Sequence, residues 1–327
     1  MVNRALRLTG VGRFDIIELP IDPPRDDEVV VEVEAVTTCP QWDMHLWRGE
    51  PMFERMSLEF PYVPGQPGHE MVGRVLQAGR SVTTLSVGQR VAVWRDVGHG
   101  VHGCYATHVT RQAEVLLPMP DDLPAKACAP LELAMCVSSV FMDLEAHGFF
   151  PCQRLGVAGL GPSGLIAMQM ARALGVEEVV GFDLDDNRRA FAERLGYGRT
   201  ANNGKCGFPG RREEGSLDIG IECVGHPAAF EFLADHTRGV VAIFGVQRTD
   251  YPFKPDYNSQ HGLRVWGYTG HHRAAGEFAR EMVLSGKVNL VPLATHQVPL
   301  RNYDRAVDLL LKREAVKVCL LCDRANL

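Results

Sequence analysis

Two short segments gather the side chains best suited to chemistry. One is Thr37-Thr38-Cys39-Pro-Gln-Trp-Asp43-Met-His45, the other Pro67-Gly68-His69-Glu70-Met-Val-Gly73. Cysteine, histidine and glutamate are competent zinc ligands, and a catalytic zinc uses three protein ligands and keeps a fourth position open. A zinc there would polarise an alcohol or carbonyl oxygen and stabilise alkoxide, the charge that a hydride transfer develops. His69 and Glu70 are adjacent, so both reach one ion only from a bent segment, which Gly68 and Gly73 permit. Taken singly, Cys39 also suits a small buried hydrophobe, His69 a turn histidine bonded to backbone, and His45 a surface helix residue. Glu70 has a charged role beside the ligands as its rival reading.

A second signal is Leu155-Gly-Val-Ala-Gly159-Leu-Gly161-Pro162-Ser163-Gly164, a G-x-G-x-x-G turn. It ends an apolar strand and opens a helix. In that context Gly159 gives the tight turn, Gly161 lets backbone approach a pyrophosphate, and Gly164 allows close helix packing. The helix N-terminus offers free N–H groups and a positive dipole to phosphate. A following strand ends in Asp183, 24 residues after Gly159, where an acid binds the ribose hydroxyls and repels a 2′-phosphate. This predicts NAD as cofactor, held by Gly159, Gly161, Pro162, Ser163, Gly164 and Asp183. Arg188, and Arg189 beside it, could instead swing toward a phosphate.

These segments need two kinds of scaffold. Up to about residue 120 the text is strand and turn, with period-two alternation over Glu28–Val36 and further strands at Gly88–Trp94 and after Ala106. Leu123–Phe149 has helical spacing. From 155 to 245, strands at Leu155–Gly159, Val179–Asp183, Asp218–Glu222 and Val240–Phe244 alternate with helices at Pro162–Leu174, Asn187–Gly196 and Ala228–Ala234, the pattern of βαβ units. After about 290 strand-and-turn text returns and ends in an apolar strand at Val316–Leu321. The expected organisation is an α/β protein in which a β-rich domain (1–122 and 292–327) is interrupted by a Rossmann domain (123–291). The strand at Val240–Phe244 is a candidate for edge-to-edge pairing with a second copy.

Bulk properties narrow the function classes. The 327 residues exceed one ordinary core. A net charge of −6 without a basic block gives no nucleic-acid footprint. No apolar stretch is expected to reach the roughly 18–20 residues that span a bilayer, so no membrane partner is predicted. Nine scattered cysteines suit reduced thiols, and the N-terminus lacks a secretory leader pattern, which together predict the cytoplasm.

The order Cys39…Asp43-x-His45, then Gly68-His69-Glu70-x-x-Gly73, then the glycine turn and a strand-rich tail resembles the medium-chain dehydrogenase/reductase superfamily. Within it the chain is similar to the zinc-dependent alcohol and polyol dehydrogenases over essentially its whole length. The resemblance implies a GroES-like catalytic domain discontinuous around the Rossmann domain, with the active site in the cleft between them and a dimer or tetramer as the assembly. By position it implies Cys39 and His69 as zinc ligands and Glu70 as a ligand or exchanging partner. Asp43 would accept a hydrogen bond from His69, and His45 would end a proton relay.

The sequence departs from the family's pattern in three places. Cys39-Pro-Gln-Trp-Asp43 is one residue longer than Cys-x-x-Asp, and Gln41 or Trp42 stands where a relay hydroxyl belongs; Thr37 or Thr38 could substitute. The remaining zinc ligand of the family falls at Ala129, and Cys128 or Glu132 could compensate. The four-cysteine lobe of a structural zinc is missing, so one zinc is expected.

Other clusters read less sharply. His99, His102 and Cys104 sit on a glycine-rich loop where solvated histidines are usual. Cys319 and Cys322 on a strand face opposite sides. Trp42, Trp47 and Phe53 suit either pocket lining or packing. The leading reading is zinc-assisted hydride transfer between NAD and a secondary alcohol, polyol or sugar-like small molecule. The alternative is a metal-free NAD(P)H-dependent reductase of an activated C=C bond or quinone, for which Ala129 argues. A non-catalytic NAD(H)-binding module is the third.

Overall fold

The computed structural model describes residues 2–53, 56–258 and 262–322. Contacts divide the chain into two units, Met1–Met135 with Asn289–Leu327, and Cys136–Val288.

The first unit opens with an antiparallel hairpin, β1 (Val2–Gly10) and β2 (Arg13–Pro20). Then come β3 (Glu28–Thr37), α1 (Pro40–Arg48), β4 (Glu70–Ala78), β5 (Arg90–Val93), β6 (His108–Gln112) and β7 (Leu116–Pro118). β3 is buried at Val29–Val31, Val33 and Ala35–Thr37, more completely than strict alternation predicts. The cause is its central place: β4 lies along one side, and the other side is shared between β6 and a later strand.

The helical stretch expected over 123–149 is two helices, α2 (Ala125–Cys128) and α3 (Leu131–Ala146), separated at Ala129-Pro130. Proline has no N–H to donate, which accounts for the break. The expectation that nothing here could cross a bilayer is corrected. Ala125–Ala146 is long and apolar enough by length and composition, with mean hydropathy 1.5, but 83% of that window is buried inside the protein. That is how a core helix reads.

The second unit carries β8 (Arg154–Ala158), α4 (Pro162–Ala173), β9 (Glu178–Phe182), α5 (Asp186–Arg194), β10 (Arg199–Ala201), β11 (Leu217–Glu222), α6 (Pro227–His236), β12 (Thr237–Ile243), β13 (Arg264–Gly267) and α7 (Arg273–Leu284). The strands form one parallel sheet in the order β10-β9-β8-β11-β12-β13, the doubly wound arrangement expected of alternating β and α segments. One expectation fails. The strand at Val240–Phe244 cannot be an edge, because β12 lies between β11 and β13; the edge on that side is β13.

The chain then returns to the first unit through β14 (Ala294–Pro299), α8 (Tyr303–Leu311) and β15 (Lys317–Leu321). The seven-stranded sheet runs β14-β15-β3-β4-β5-β7, with β6 also on β3. α8 was not expected from strand-and-turn text. Its buried residues, Tyr303, Ala306, Val307 and Leu310, recur at helical spacing. β15 brings Lys317 beside Glu70, Nζ donating to Oε1 at 2.6 Å with both side chains essentially buried. Losing one partner of such a pair strands a charge in the interior, at a cost of about 3–5 kcal/mol. Lys317→Met should therefore lower unfolding free energy by about that amount in denaturant titrations; a loss below about 1 kcal/mol would contradict this role for the pair.

Candidate active site

α1 begins at Pro40, directly after Cys39, and proline suits the first helical position because no partner awaits its missing N–H. Cys39 is the N-cap, its side chain makes no capping bond, and its carbonyl accepts from the Asp43 N–H at 3.0 Å. The longer Cys39–Asp43 segment is thus one helical turn. It turns Gln41 to solvent and buries Trp42 and Asp43.

Across the sheet, the segment before β4 carries His69, 9% exposed, and β4 begins with the fully buried Glu70. One ligand atom each from Cys39, His69 and Glu70 lies within 4.8 Å of the others. The three residues singled out by type are therefore brought together. Thiol, imidazole and carboxylate around one buried point are the donor set that zinc takes.

The tautomer of His69 is set by backbone. Its Nδ1 lies 2.8 Å from the Pro67 carbonyl, so Nδ1 donates and Nε2 is the nitrogen that a metal would take in place of a proton. Pro67, not Asp43, is the acceptor that orients the ring, a correction to the role expected for Asp43. Burial disfavours a charged His69 ring. Its contact with Cys39 and the charges of Cys39, Glu132 and Asp96 outweigh that and hold it well above the usual histidine range.

Asp43 instead accepts the Tyr105 and Tyr303 hydroxyls, each at 2.7 Å, on the same oxygen Oδ1. Burial pushes its carboxyl up to about 6 against the pull of both tyrosines, with the charges of His69 and Lys317 also lowering it. Oδ2 is buried and makes no hydrogen bond among the described residues. A carboxylate left so exposed to its own charge calls for positive charge nearby, which fits a cation held by Cys39 and His69.

Both threonines expected to serve a relay have hydroxyl partners within the protein. Thr37 Oγ1 donates to Glu70 Oε2 at 2.6 Å, and Thr38 Oγ1 accepts from the Val318 N–H at 2.9 Å. His45, on the last turn of α1, faces Glu50 at 3.1 Å and is 15% exposed. Trp42 stacks near His69, Phe53 and His99, at 6.4, 5.6 and 5.9 Å between ring centres. Trp47, half-buried, packs on Phe14 and Tyr303 against the core. His99, His102 and Cys104 do not converge: Cys104 is buried against Arg111, whereas His102 is exposed.

In the second unit the glycine turn has the predicted form. Gly159 adopts φ 94°, and a Cβ on Gly164 would sit 1.8 Å from the Gly159 carbonyl oxygen, so both must be glycine for the fold's sake. Gly161 is different. Its φ is −75°, and a Cβ there would meet nothing within 4 Å. Neither packing nor backbone demands glycine at 161, so the open space above it fits an approaching phosphate, with Pro162, Ser163 and Gly164 as the first turn of α4.

Asp183 directly follows β9 and accepts from the Leu160 N–H at 2.8 Å, which ties the turn to the acid. Arg188 lies 3.6 Å from the same carboxylate, while Arg189 reaches Asp186 and the Asp183 carbonyl.

Two families match this chain. The alcohol dehydrogenase GroES-like domain matches residues 25–121, and the zinc-binding dehydrogenase family matches 162–284. The chain belongs to the medium-chain dehydrogenase/reductase superfamily, among its zinc-dependent alcohol dehydrogenase-like members. It is an NAD(P)-dependent oxidoreductase of that type. An L-threonine 3-dehydrogenase of Xanthomonas oryzae pv. oryzae (strain MAFF 311018) is 26% identical over 332 residues, covering 93% of this chain and 94% of that protein. In fold the chain is similar to a putative zinc-binding dehydrogenase from Sinorhizobium meliloti 1021 bound to NADP, with TM-score 0.83 and 23% identity over 98% of this chain and 99% of the other. It is equally similar to 2R,3R-butanediol dehydrogenase from Bacillus subtilis, with TM-score 0.84 and 20% identity over 98% and 100%.

Several residues of this dehydrogenase's site escaped the sequence reading. Lys317, Tyr105 and Tyr303 had no local motif to mark them. Glu222 ends β11 fully buried, and its Oε1 accepts the Val224 and Gly225 N–H groups at 2.7 and 2.9 Å. Burial raises its carboxyl while those bonds pull it down. It thereby shapes the turn whose Val224 packs against Gly159. A buried acid at a strand end was the available signal. Gly161→Ala separates cradle from scaffold: NADH binding should weaken by about tenfold or more with the thermal midpoint unchanged, and unchanged affinity would contradict the cradle.

Proposed function

We propose that this dehydrogenase transfers hydride between NAD and a secondary alcohol, polyol or sugar-like substrate at a single zinc. The convergence of Cys39, His69 and Glu70 within 4.8 Å carries the reading. The domain roles we assign are catalytic for 1–122 with 292–327 and NAD-binding for 123–291. Cys39 and His69 would hold the metal, with Glu70 beside them. A zinc there supplies Lewis acidity toward the substrate oxygen, and a bound nicotinamide supplies the hydride acceptor.

The chain's own residues do the rest. Pro67 fixes the His69 ring, and Asp43, held by Tyr105 and Tyr303, offers negative charge that favours a cation at His69. Trp42, with Phe53 and His99 around it, gives an apolar wall beside His69 that would seat the carbon skeleton of a substrate and exclude water. His45, partly exposed and paired with Glu50, is the solvent end we propose for the proton path. Thr37 stands outside that path because its hydroxyl is on Glu70.

Gly159, Gly161, Pro162, Ser163 and Gly164 would cradle the pyrophosphate. Asp183, with Arg188 at its side, would take the adenosine ribose and favour NAD over NADP. We further propose a homo-oligomer paired through the edge strand β13, where Val265 is 38% exposed, and a cytoplasmic location, supported by cysteines that form no disulfide.

The test is activity and metal together. Across a panel of secondary alcohols and polyols, turnover with NAD should exceed that with NADP, a strong chelator should abolish it, and zinc should restore it. Full activity with less than about a tenth of an equivalent of zinc would contradict the reading and favour metal-free reduction.

A further inference from the structure

The loop at residues 98–103, Gly-His-Gly-Val-His-Gly, carries His99 to within 5.9 Å of Trp42, ring centre to ring centre. It has almost nothing apolar to hold it there. His99 and His102 are exposed, and Val101 is 44% exposed. A surface loop of such composition ordinarily turns its carbonyls to water and opens easily.

Here three of those carbonyls turn inward. Gln66, 3% exposed, donates through Nε2 to the Gly98 and Val101 carbonyls at 3.1 and 2.9 Å. Arg111, 7% exposed, donates through Nη2 to the His102 carbonyl at 2.7 Å and to Cys104 Sγ at 3.3 Å. A buried amide or guanidinium is costly unless its hydrogens find acceptors. The loop supplies those acceptors, so neither side lets go without stranding a polar group.

The clamp is anchored where His69 is oriented. Gln66 directly precedes Pro67, whose carbonyl fixes the His69 ring. Backbone joins the same two segments: the Gly103, Cys104 and Tyr105 N–H groups donate to the Pro64, Gly68 and Gly65 carbonyls at 2.9, 2.6 and 3.0 Å. A Cβ on Gly103 would come 2.1 Å from the Gly65 carbonyl oxygen, so the end of the loop is pressed against the turn before His69.

We propose that Gln66, seconded by Arg111, is a positioning residue that holds the 98–102 loop as a wall of the substrate pocket. The loop then keeps His99 over Trp42 and contacts the carbon skeleton of a substrate at His69. Gln66 acts through the loop carbonyls, so it governs how tightly the skeleton is bound and leaves the hydride step alone. This inference rests on the alcohol or polyol reading above and adds the element that sizes its pocket.

The experiment compares wild type, Gln66→Met and His99→Ala. Methionine keeps the length and burial of Gln66 without its donors, and His99 is exposed, so its loss tests the wall without disturbing the interior. Hydrogen exchange by mass spectrometry reads the loop. Steady-state kinetics with propan-2-ol and with a longer secondary alcohol or polyol read the pocket, and metal content reads the site. Gln66→Met should exchange about tenfold faster over 98–104 than wild type and keep its metal. Its KM for the longer substrate should rise about fivefold or more. Its kcat, and its KM for propan-2-ol, should stay within about twofold, the pattern of lost binding rather than lost chemistry. His99→Ala should raise the same KM. Wild-type loop exchange in Gln66→Met would overturn the clamp. Unchanged KM in both variants, or equal losses with both substrates, would overturn the wall. A wild type inactive on every alcohol and polyol would overturn the reading of the site and the wall with it, while the exchange result still decides the clamp.

Discussion

A carboxylate with no exposure stays charged only if a cation and hydrogen bonds replace the water it gave up. Glu70 meets that condition through Lys317 and Thr37, and much of the first unit follows from it. Lys317 belongs to β15 and Thr37 to β3, so the pair joins the start of β4 to its neighbour β3 and to β15 beyond it. The returning C-terminal segment must close beside β3 for the charge to be met.

Asp43 obeys the same constraint and solves it differently. It has no lysine. Two tyrosine hydroxyls on a single oxygen hold its charge in part, and one of them comes from α8, 260 residues away. The carboxyl still sits above its usual range because burial outweighs those bonds. Glu70 and Asp43 are therefore met differently, Glu70 by a directly paired lysine and Asp43 by two neutral hydroxyls, with the charges of His69 and Lys317 acting on it as well. That asymmetry is what favours positive charge at the Cys39–His69 position. The second unit uses backbone instead: glycines at 159 and 164 allow a tight turn, and Gly161 leaves room that nothing in the protein fills.

What the sequence could reveal follows from how local each constraint is. The glycine turn is legible because each glycine answers a demand within a few residues, and strands β8, β9, β11 and β12 show as short apolar runs between helices. Cys39 and His69 stood out by chemical type, and the fold brings them together. The role of Glu70 was not, since nothing near residue 70 announces a lysine 247 residues later. Asp43 was misassigned for the same reason: Tyr105 and Tyr303 are distant, while the Pro67 carbonyl that orients His69 carries no side-chain signature. α8 was missed although Tyr303, Ala306, Val307 and Leu310 repeat with helical period, because one apolar face in a short segment also suits a strand. β13 was missed because a four-residue edge strand with one arginine and one tryptophan has little apolar pattern to read.

The central claim is that one zinc lies between Cys39 and His69. Anomalous diffraction at the zinc edge, from crystals grown without added chelator, tests it most directly. The account predicts a single strong peak within bonding distance, about 2.0–2.3 Å, of Cys39 Sγ and His69 Nε2. No peak there, or a peak bound instead at His99 and Cys104, would contradict it.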